Sequence, residues 1–166
     1  MPPVFELTVA KETLGFSAAH FLTLRGHVCE RLHGHNYRIG ATVTGPVDPQ
    51  TGFVIDFALL KQALRAIADR MDHRLLIPVA NQELTVRETG DRVVIDYHWP
   101  EWLVVPAAHA CLLQVSQTTA ERLAEFAAAE VWTALTTAGA TMTALAVEIE
   151  ESHGQGATCR LDANPN

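Results

Sequence analysis

Segments with a helical pattern and segments with a β pattern alternate along this chain in an order that restricts the possible folds. A first helix is predicted after Asp56, an N-cap residue, because apolar residues recur at helical spacing from Phe57 to Met71. A second helix is predicted over residues 118–139, from two threonines to Gly139. β-patterned segments precede, separate and follow these helices. The order predicts an α+β domain in which two helices pack on one face of an antiparallel sheet.

The β-patterned segments are assigned from residue alternation and from turn residues. Residues 4–22 predict either two short strands or one strand bent at Gly15. Two runs around Gly90 predict a β-hairpin over residues 82–99. The other predicted strands are residues 35–45, a short strand from residue 53 leading into the first helix, and residues 142–153 and 157–162. The tail, residues 162–166, is expected to be disordered.

Composition limits the classes of protein to which the chain can belong. Its 166 residues fit one domain, residues 1–166, and its net charge of −7 argues against nucleic-acid binding. The first residues lack the basic and apolar regions of a signal peptide, and no run approaches the roughly 18 apolar residues of a membrane span. Three cysteines at positions 29, 111 and 159 do not form a disulfide framework. These features predict a protein of the reducing cytoplasm that does not bind membranes.

Three histidines near the N-terminus are candidate metal ligands. His33 and His35 are two residues apart on a predicted strand, so their side chains point to the same face. His20 ends the preceding predicted strand, and antiparallel pairing can bring it opposite that pair. Three imidazoles with an open fourth position are typical of catalytic zinc. The alternative is that these histidines never meet, since the chain contains eight.

Cys29, four residues before His33, has three possible roles. It could be a fourth zinc ligand, which would make the site structural. It could be a thiolate beside a metal-bound substrate, where the cation lowers its pKa and it acts as an acid or base. It could also be an inert buried thiol. Asp72 and His73 follow the first helix and could form a proton-relay pair, or a surface pair stabilised by the helix dipole.

Six segments together resemble the 6-pyruvoyl-tetrahydropterin synthase family, including its bacterial 6-carboxytetrahydropterin synthase branch. They are FSAAH at residues 16–20, CERLHGHNY at 29–37, GFVIDFALLK at 52–61, MDHRLL at 71–76, TTAERLA at 118–124 and EESHGQGATC at 150–159. The resemblance implies the tunnelling fold, or T-fold, an antiparallel sheet with two helices on one side. It further implies a homo-oligomeric barrel, commonly a hexamer, with active sites between subunits.

The resemblance also implies roles for individual residues. The matched zinc ligands are His20, His33 and His35. Cys29 matches the catalytic thiol, and Asp72 with His73 matches its acid–base partners. Glu151 matches a carboxylate that accepts hydrogen bonds from the amino-pyrimidine edge of the pterin. The residues matching a helix start that shapes the pterin pocket are Thr119 and Glu121.

The chemistry implied by the resemblance is zinc-dependent lyase chemistry on 7,8-dihydroneopterin triphosphate. The expected product is 6-carboxy-5,6,7,8-tetrahydropterin, a precursor of queuosine and related deazapurines, with triphosphate and acetaldehyde released. One alternative product is the 6-pyruvoyl compound. From a different class, a non-catalytic zinc- or pterin-binding relative would use Cys29 as a fourth zinc ligand.

Two features leave the exact reaction open. Glu30 follows Cys29 directly, and some family members use a glutamate in this region to cleave the side chain and form 6-hydroxymethyl-dihydropterin. Glu30 is therefore either a second catalytic residue or a solvent-facing neighbour. The connection between His73 and Thr118 is also longer than the family pattern and contains the predicted hairpin. It could serve another pterin substrate or form an oligomer contact.

Overall fold

Ten strands and two helices make up the described part of the protein, residues 3–163 of a computed structural model. The main sheet contains β1 Phe5–Val9, β2 Gly15–His20, β3 His33–Gly45, β4 Arg74–Pro78, β8 Ala110–Leu113, β9 Ala144–Ser152 and β10 Gln155–Asp162. A smaller sheet contains β5 Thr85–Thr89, β6 Arg92–Asp96 and β7 Leu103–Pro106. The helices are α1 Phe57–Met71 and α2 Ala120–Thr137.

The seven strands of the main sheet follow the order β10-β9-β3-β2-β4-β8, with β1 paired to β3 as well. The long strand β3 pairs with β2 along its first half and with β1 along its second half. Most pairings are antiparallel, as predicted, but β2–β4 and β4–β8 are parallel. A parallel pair needs a long crossover connection. Helix α1 lies in the connection from the β2–β3 pair to β4, and the smaller sheet lies between β4 and β8.

Both helices pack on one face of the main sheet, which confirms the predicted architecture. Alternate residues of β3 and β9 face the helices and form the core with buried leucines. Examples are Ile39, Val43, Val147, Ile149, Leu64 and Leu123. The Asp56 side chain accepts a hydrogen bond from the Ala58 amide at 2.8 Å and caps α1 as predicted. Within residues 3–163, neither helix has the length and hydropathy needed to cross a membrane.

Several local predictions need correction. The short strand predicted from residue 53 is wrong, because the Phe53 carbonyl accepts a hydrogen bond from the Asp48 amide at 2.8 Å and so closes a turn. Gly15 begins β2, and a single 3-10 turn at Lys11–Thr13 separates β1 from β2, so the two-strand alternative holds. Strands β4 and β8 were not predicted. Of the tail expected to be disordered, Asp162 ends β10, and residues 164–166 lie outside the described residues.

The smaller sheet is more extensive than a hairpin. Strands β5 and β6 pair around Gly90, and β7 adds a third strand to β6. The inner face of this sheet packs in a second apolar core, whose buried members are Phe21, Leu75, Ile77, Val93 and Ile95. Phe21 directly follows the last residue of β2. The smaller sheet, called the inserted sheet below, is therefore joined to the main sheet beside His20 and the loop that follows it.

A close backbone approach at Gly40 generates a stability prediction. A Cβ atom added there would lie 2.6 Å from the Lys11 nitrogen and 2.9 Å from the Val9 oxygen. Because backbone must move to relieve this clash, we expect Gly40→Ala to reduce the free energy of unfolding by about 1–3 kcal/mol. Gly15→Ala is the control, since its nearest contact is one oxygen of Tyr37 at 3.2 Å. Chemical denaturation measures both variants, and equal losses would contradict the prediction.

Candidate metal centre and active site

Four side chains from three neighbouring strands converge at one end of the helix-facing side of the main sheet. His20 ends β2 and pairs with His33 at the start of β3, and His35 follows on the same face. Glu151 reaches the same point from β9. The ligand-type atoms of all four side chains lie within 4.8 Å of one another. The structure therefore brings the three predicted histidines together and adds a carboxylate, in a group that could hold a metal ion.

Hydrogen bonds fix the tautomers of two of these imidazoles. Nδ1 of His20 lies 2.9 Å from the carbonyl oxygen of Thr118, and the Thr118 hydroxyl donates to the carbonyl of Phe21. Nδ1 of His33 lies 2.6 Å from the carbonyl oxygen of Arg31. A carbonyl oxygen only accepts, so both Nδ1 atoms carry the proton in the neutral rings and both Nε2 atoms present a lone pair. Such outer contacts are typical of metal-binding histidines.

Two ring nitrogens in this group are buried without a hydrogen-bond partner among residues 3–163. They are Nε2 of His20 and Nε2 of His35. The Glu151 carboxylate lies against them, with its Oε1 at 2.8 Å from His35 Nε2 and 3.5 Å from His20 Nε2. Burying an unpaired polar atom is unfavourable, and a bound cation would engage both nitrogens. The residues present therefore fit a metal ion.

The electrostatic environment favours the ionisation states that bind metals. Burial lowers the pKa of His35, and the neighbouring rings of His20 and His33 lower it further, against the opposing effect of Glu151. The His20 ring, first among the causes, and the other two histidines lower the pKa of Glu151. A neutral His35 imidazole and an ionised Glu151 carboxylate are therefore the stable forms near neutral pH.

Cys29 lies in the loop that joins β2 to β3. The loop is closed by a hydrogen bond from the Leu22 amide to the Cys29 carbonyl at 2.9 Å. Cys29 itself occupies a 3-10 turn, Val28–Glu30, and its amide donates to Nδ1 of His27 at 3.1 Å. The thiol is half-buried and free. In the described residues, the converging group consists of three histidines and Glu151, so its geometry does not support Cys29 as a metal ligand.

The side-chain contacts of Glu30 are with its own loop and with the inserted sheet. Its carboxylate accepts hydrogen bonds from the Gly26 amide and the Tyr97 hydroxyl, and it lies 3.0 Å from Nε2 of His98. Tyr97 and His98 follow β6 in the inserted sheet. Nothing in the sequence pattern predicted these two partners.

Asp72 and His73 form an ordered pair at the end of α1. Oδ1 of Asp72 accepts from the Ser17 amide at 2.8 Å, and Oδ2 lies 2.8 Å from Nδ1 of His73. The His73 amide donates to the Ser17 carbonyl, and His73 has a φ of 54°, a left-handed conformation. The Ser17 amide, followed by His73, lowers the pKa of Asp72. Asp72 thus orients an imidazole that is 82% exposed, with Nε2 available to exchange a proton.

His73 lies at the end of α1, whereas Cys29 lies in the β2–β3 loop. His73 lines a cleft of about 660 Å³, whose walls also include His35 on β3 and Val105 on β7. Cys29 and Glu151 are absent from the described residues that line this cleft. Of the histidine group, His35 is the member that lines this cleft among the described residues.

The start of α2 contributes to the site through a residue that the sequence analysis missed. Thr119 caps the helix by accepting from the Arg122 amide, and Glu121 is exposed in the first turn. Within residues 3–163, neither side chain hydrogen-bonds to the histidine group. The buried residue Thr118 instead contacts His20. Thr118 begins the matched segment at residues 118–124, but no pattern there indicated a contact with His20.

The fold and the site define an α+β protein of the T-fold class with a three-histidine, one-carboxylate group that could bind a metal. A family profile described as 6-pyruvoyl tetrahydropterin synthase matches residues 8–162, and the chain belongs to this family.

A protein of Methanocaldococcus jannaschii, provisionally named as a 6-carboxy-5,6,7,8-tetrahydropterin synthase, is 32% identical over 159 residues, which are 95% of this chain and 96% of that protein. The 6-carboxy-5,6,7,8-tetrahydropterin synthase of Bacillus subtilis is 36% identical over 76 residues, 45% of this chain and 48% of that protein. The crystal structure of the Plasmodium vivax 6-pyruvoyl tetrahydropterin synthase has the same fold, with a TM-score of 0.85 at 24% identity, covering 96% of this chain and 99% of that one.

The lowered pKa values predict that the metal-free protein is less stable in acid. Unfolded His35 takes up a proton as the pH falls below its ordinary pKa of 6.5, whereas the folded ring resists protonation. Glu151 contributes a further loss of stability at lower pH. The unfolded side chain takes up a proton below its ordinary pKa of 4.5, whereas the folded side chain, whose pKa is lowered, stays ionised to a lower pH. We expect the free energy of unfolding to fall between about pH 7 and pH 5, by less than about 1.4 kcal/mol per pH unit for the one proton on His35.

Chemical denaturation at a series of pH values, with a chelator present, measures this dependence. His35→Gln should flatten it. His153→Gln, at an exposed turn residue, is the matched control and should leave the slope unchanged. A pH-independent stability in the parent protein over this range would contradict the assignment.

Proposed function

We propose that this protein is a zinc-dependent lyase that converts 7,8-dihydroneopterin triphosphate and one water molecule into 6-carboxy-5,6,7,8-tetrahydropterin, triphosphate and acetaldehyde. The observation that carries the proposal is the convergence of three imidazoles and a carboxylate at the end of the loop that bears Cys29. The M. jannaschii relative, matched along nearly its whole length, supports the 6-carboxy branch.

The donor set supports zinc as the metal. Three imidazole nitrogens and a carboxylate oxygen suit Zn²⁺, and an exchangeable fourth position is typical of catalytic zinc. His20, His33 and His35 would hold the ion through Nε2 of His20 and His33, whose Nδ1 atoms face carbonyls, and through the unpaired Nε2 of His35. When bound, zinc supplies Lewis acidity that polarises a substrate oxygen and acidifies the neighbouring C–H.

The protein's own groups move the protons. Cys29, in a half-buried turn four residues before His33, would transfer a proton on one face of the substrate side chain. His73, oriented through Nδ1 by Asp72, would transfer a proton on the other face through its exposed Nε2. This division of roles follows the family pattern stated above.

A homo-oligomer, with a hexamer favoured, would complete this active site. Cys29 is not among the described residues that line the cleft of His73, and His73 is exposed enough to be shared with a neighbouring subunit. Strands β8 and β10 end the main sheet among the described residues, and unpaired strand edges favour pairing with another copy. The proposed partners are thus a pterin triphosphate and further copies of this chain.

A second candidate is formation of the 6-pyruvoyl product by the same site. One observation favours it: the 6-pyruvoyl tetrahydrobiopterin synthase of Drosophila melanogaster is 47% identical over 45 residues, although these are 26% of this chain. Both products require the same first proton transfers, so the site residues proposed here do not separate them. The release of acetaldehyde separates them, because only the 6-carboxy reaction produces it.

Product analysis tests the function directly. The zinc-loaded protein should convert 7,8-dihydroneopterin triphosphate to the 6-carboxy product with stoichiometric acetaldehyde, measured by chromatography and mass spectrometry.

Cys29→Ala should lower kcat by about 10²–10⁴-fold, because it removes a proton-transfer group, while retaining zinc. Cys159→Ala, a half-buried cysteine on β10, is the matched control and should keep its activity. A 6-pyruvoyl product without acetaldehyde would favour the second candidate, and loss of zinc from Cys29→Ala would favour the structural-ligand alternative.

Glu151 has a proposed role in binding the pterin ring, although in the ligand-free protein it rests against the imidazoles. We expect Glu151→Gln to raise KM by about 10- to 100-fold, since a charged hydrogen-bond acceptor is lost. The three imidazoles should still hold one zinc per subunit, measured by metal analysis after dialysis. Glu88→Gln, at an exposed residue of β5, is the matched control. If Glu151→Gln loses its zinc, Glu151 is a metal ligand and the pterin-binding role fails.

A further inference from the structure

The Glu30 carboxylate is fully engaged by hydrogen bonds. The Gly26 amide donates to Oε2 at 2.8 Å, and the Tyr97 hydroxyl donates to Oε1 at 2.8 Å. Nε2 of His98 lies 3.0 Å from the same Oε1. The side chain is 16% exposed although it lies on a surface loop. Both oxygens thus face donors, one from the loop itself and two from the inserted sheet.

Tyr97 is well anchored for this contact. Its ring packs against Trp102 at a centroid distance of 5.3 Å, and Trp102 packs against Phe21 at 4.9 Å. Phe21 is fully buried and directly follows the metal-site residue His20. The hydroxyl that holds Glu30 therefore belongs to an aromatic cluster whose position is fixed relative to the histidine group.

The two halves of the loop are fastened by different contacts. The first half is held at Thr23, whose hydroxyl accepts hydrogen bonds from the side chains of Asn81 and Gln117 at 2.8 Å and 2.6 Å. The second half, which carries Cys29, is held to the inserted sheet through Glu30. Without this contact the turn at Val28–Glu30 would keep the closing hydrogen bond between Leu22 and Cys29 and the local bonds within the loop.

We infer that Glu30 is a positioning residue: together with Tyr97 it fastens the Cys29 loop to the inserted sheet and so holds the thiol beside the histidine group. This inference rests on the proposed function, and it gives the long insertion a role in the site. Charge-assisted hydrogen bonds are stronger than neutral ones and suit a carboxylate that acts as an anchor.

The surroundings of Glu30 do not suit a second catalytic base. The Gly26 amide, followed by the Tyr97 hydroxyl and His98, lowers the pKa of Glu30. A general base is most effective when its pKa lies near the working pH, and a lowered carboxyl pKa moves away from it. Proton uptake by Glu30 would also weaken the three contacts that place it.

A double-mutant cycle tests the inference with Glu30→Ala, Tyr97→Phe and the double variant. Tyr97→Phe keeps the aromatic ring and removes only the hydroxyl. Two measurements are made on each full-length, zinc-loaded protein: kcat and KM with 7,8-dihydroneopterin triphosphate, and the rate of Cys29 alkylation by iodoacetamide without substrate, followed by peptide mass spectrometry. Glu88→Ala, at an exposed residue of β5, is the matched control.

We expect Glu30→Ala to lower kcat by about 10- to 100-fold, because the thiol is displaced from the reacting centre. Tyr97→Phe should produce a smaller change in the same direction, and the double variant should be no worse than Glu30→Ala. Cys29 alkylation should accelerate in parallel with the loss of kcat, while zinc content stays constant. Glu30→Gln, which keeps an acceptor oxygen, should lie between the parent and Glu30→Ala.

Two results would overturn the inference. One is loss of turnover in Glu30→Ala, with Tyr97→Phe and the alkylation rate at parental values, since Glu30 would then act on the substrate. The other is additive effects in the double variant, which would show that Glu30 and Tyr97 act independently. If the parent protein does not turn over this substrate, the proposed function fails, and the alkylation rates alone still decide whether Glu30 and Tyr97 hold the loop.

Discussion

The candidate active site depends on the register between β2 and β3. Their antiparallel pairing sets His20 opposite His33, and strand alternation places His35 on the same face. A slip of one residue in either strand would turn its imidazoles to the opposite face. The buried contact from His20 to Thr118 then ties this register to the start of α2. The positions of the three imidazoles therefore depend both on the pairing of β2 with β3 and on the packing of α2 against the sheet.

The parts of the fold that could be predicted are those recorded in local patterns. Both helices follow from apolar spacing and cap residues, and the three histidines follow from period-two alternation on adjacent strands. Strand β4 is short and largely buried, and β8 consists of four apolar residues, so both lack the apolar–polar alternation that marks a half-exposed strand. Their parallel pairing depends on crossovers through α1 and the inserted sheet, which no local pattern encodes. The contact from Thr118 to His20 spans 98 residues and was missed for the same reason.

The inserted sheet shows how a long-range contact can change the role that is inferred for a residue. Next to Cys29 in the sequence, Glu30 had two plausible roles, because adjacency does not determine where a side chain points. The 3-10 turn directs its carboxylate toward Tyr97 and His98, 67 and 68 residues later. The aromatic packing of Tyr97 on Trp102, and of Trp102 on Phe21, links this contact back to the strand end that carries His20. An insertion that begins beyond β4 is thereby coupled to the loop that bears the thiol.

Two consecutive glutamates of β9 have different surroundings, because neighbouring side chains of a strand point to opposite faces of the sheet. Glu151 faces the histidine group, whereas Glu150 faces the opposite side of the sheet, where it is buried and paired with Lys11 at 2.6 Å and Arg38 at 3.2 Å. Lys11, first among the causes, lowers the pKa of Glu150, so the carboxylate stays ionised in this pair. Because Arg38 is also the register partner of Glu150 on β3, the ion pair favours the one register that directs Glu151 toward the imidazoles. The charge network on one face of the sheet thus supports the geometry of the candidate metal centre on the other.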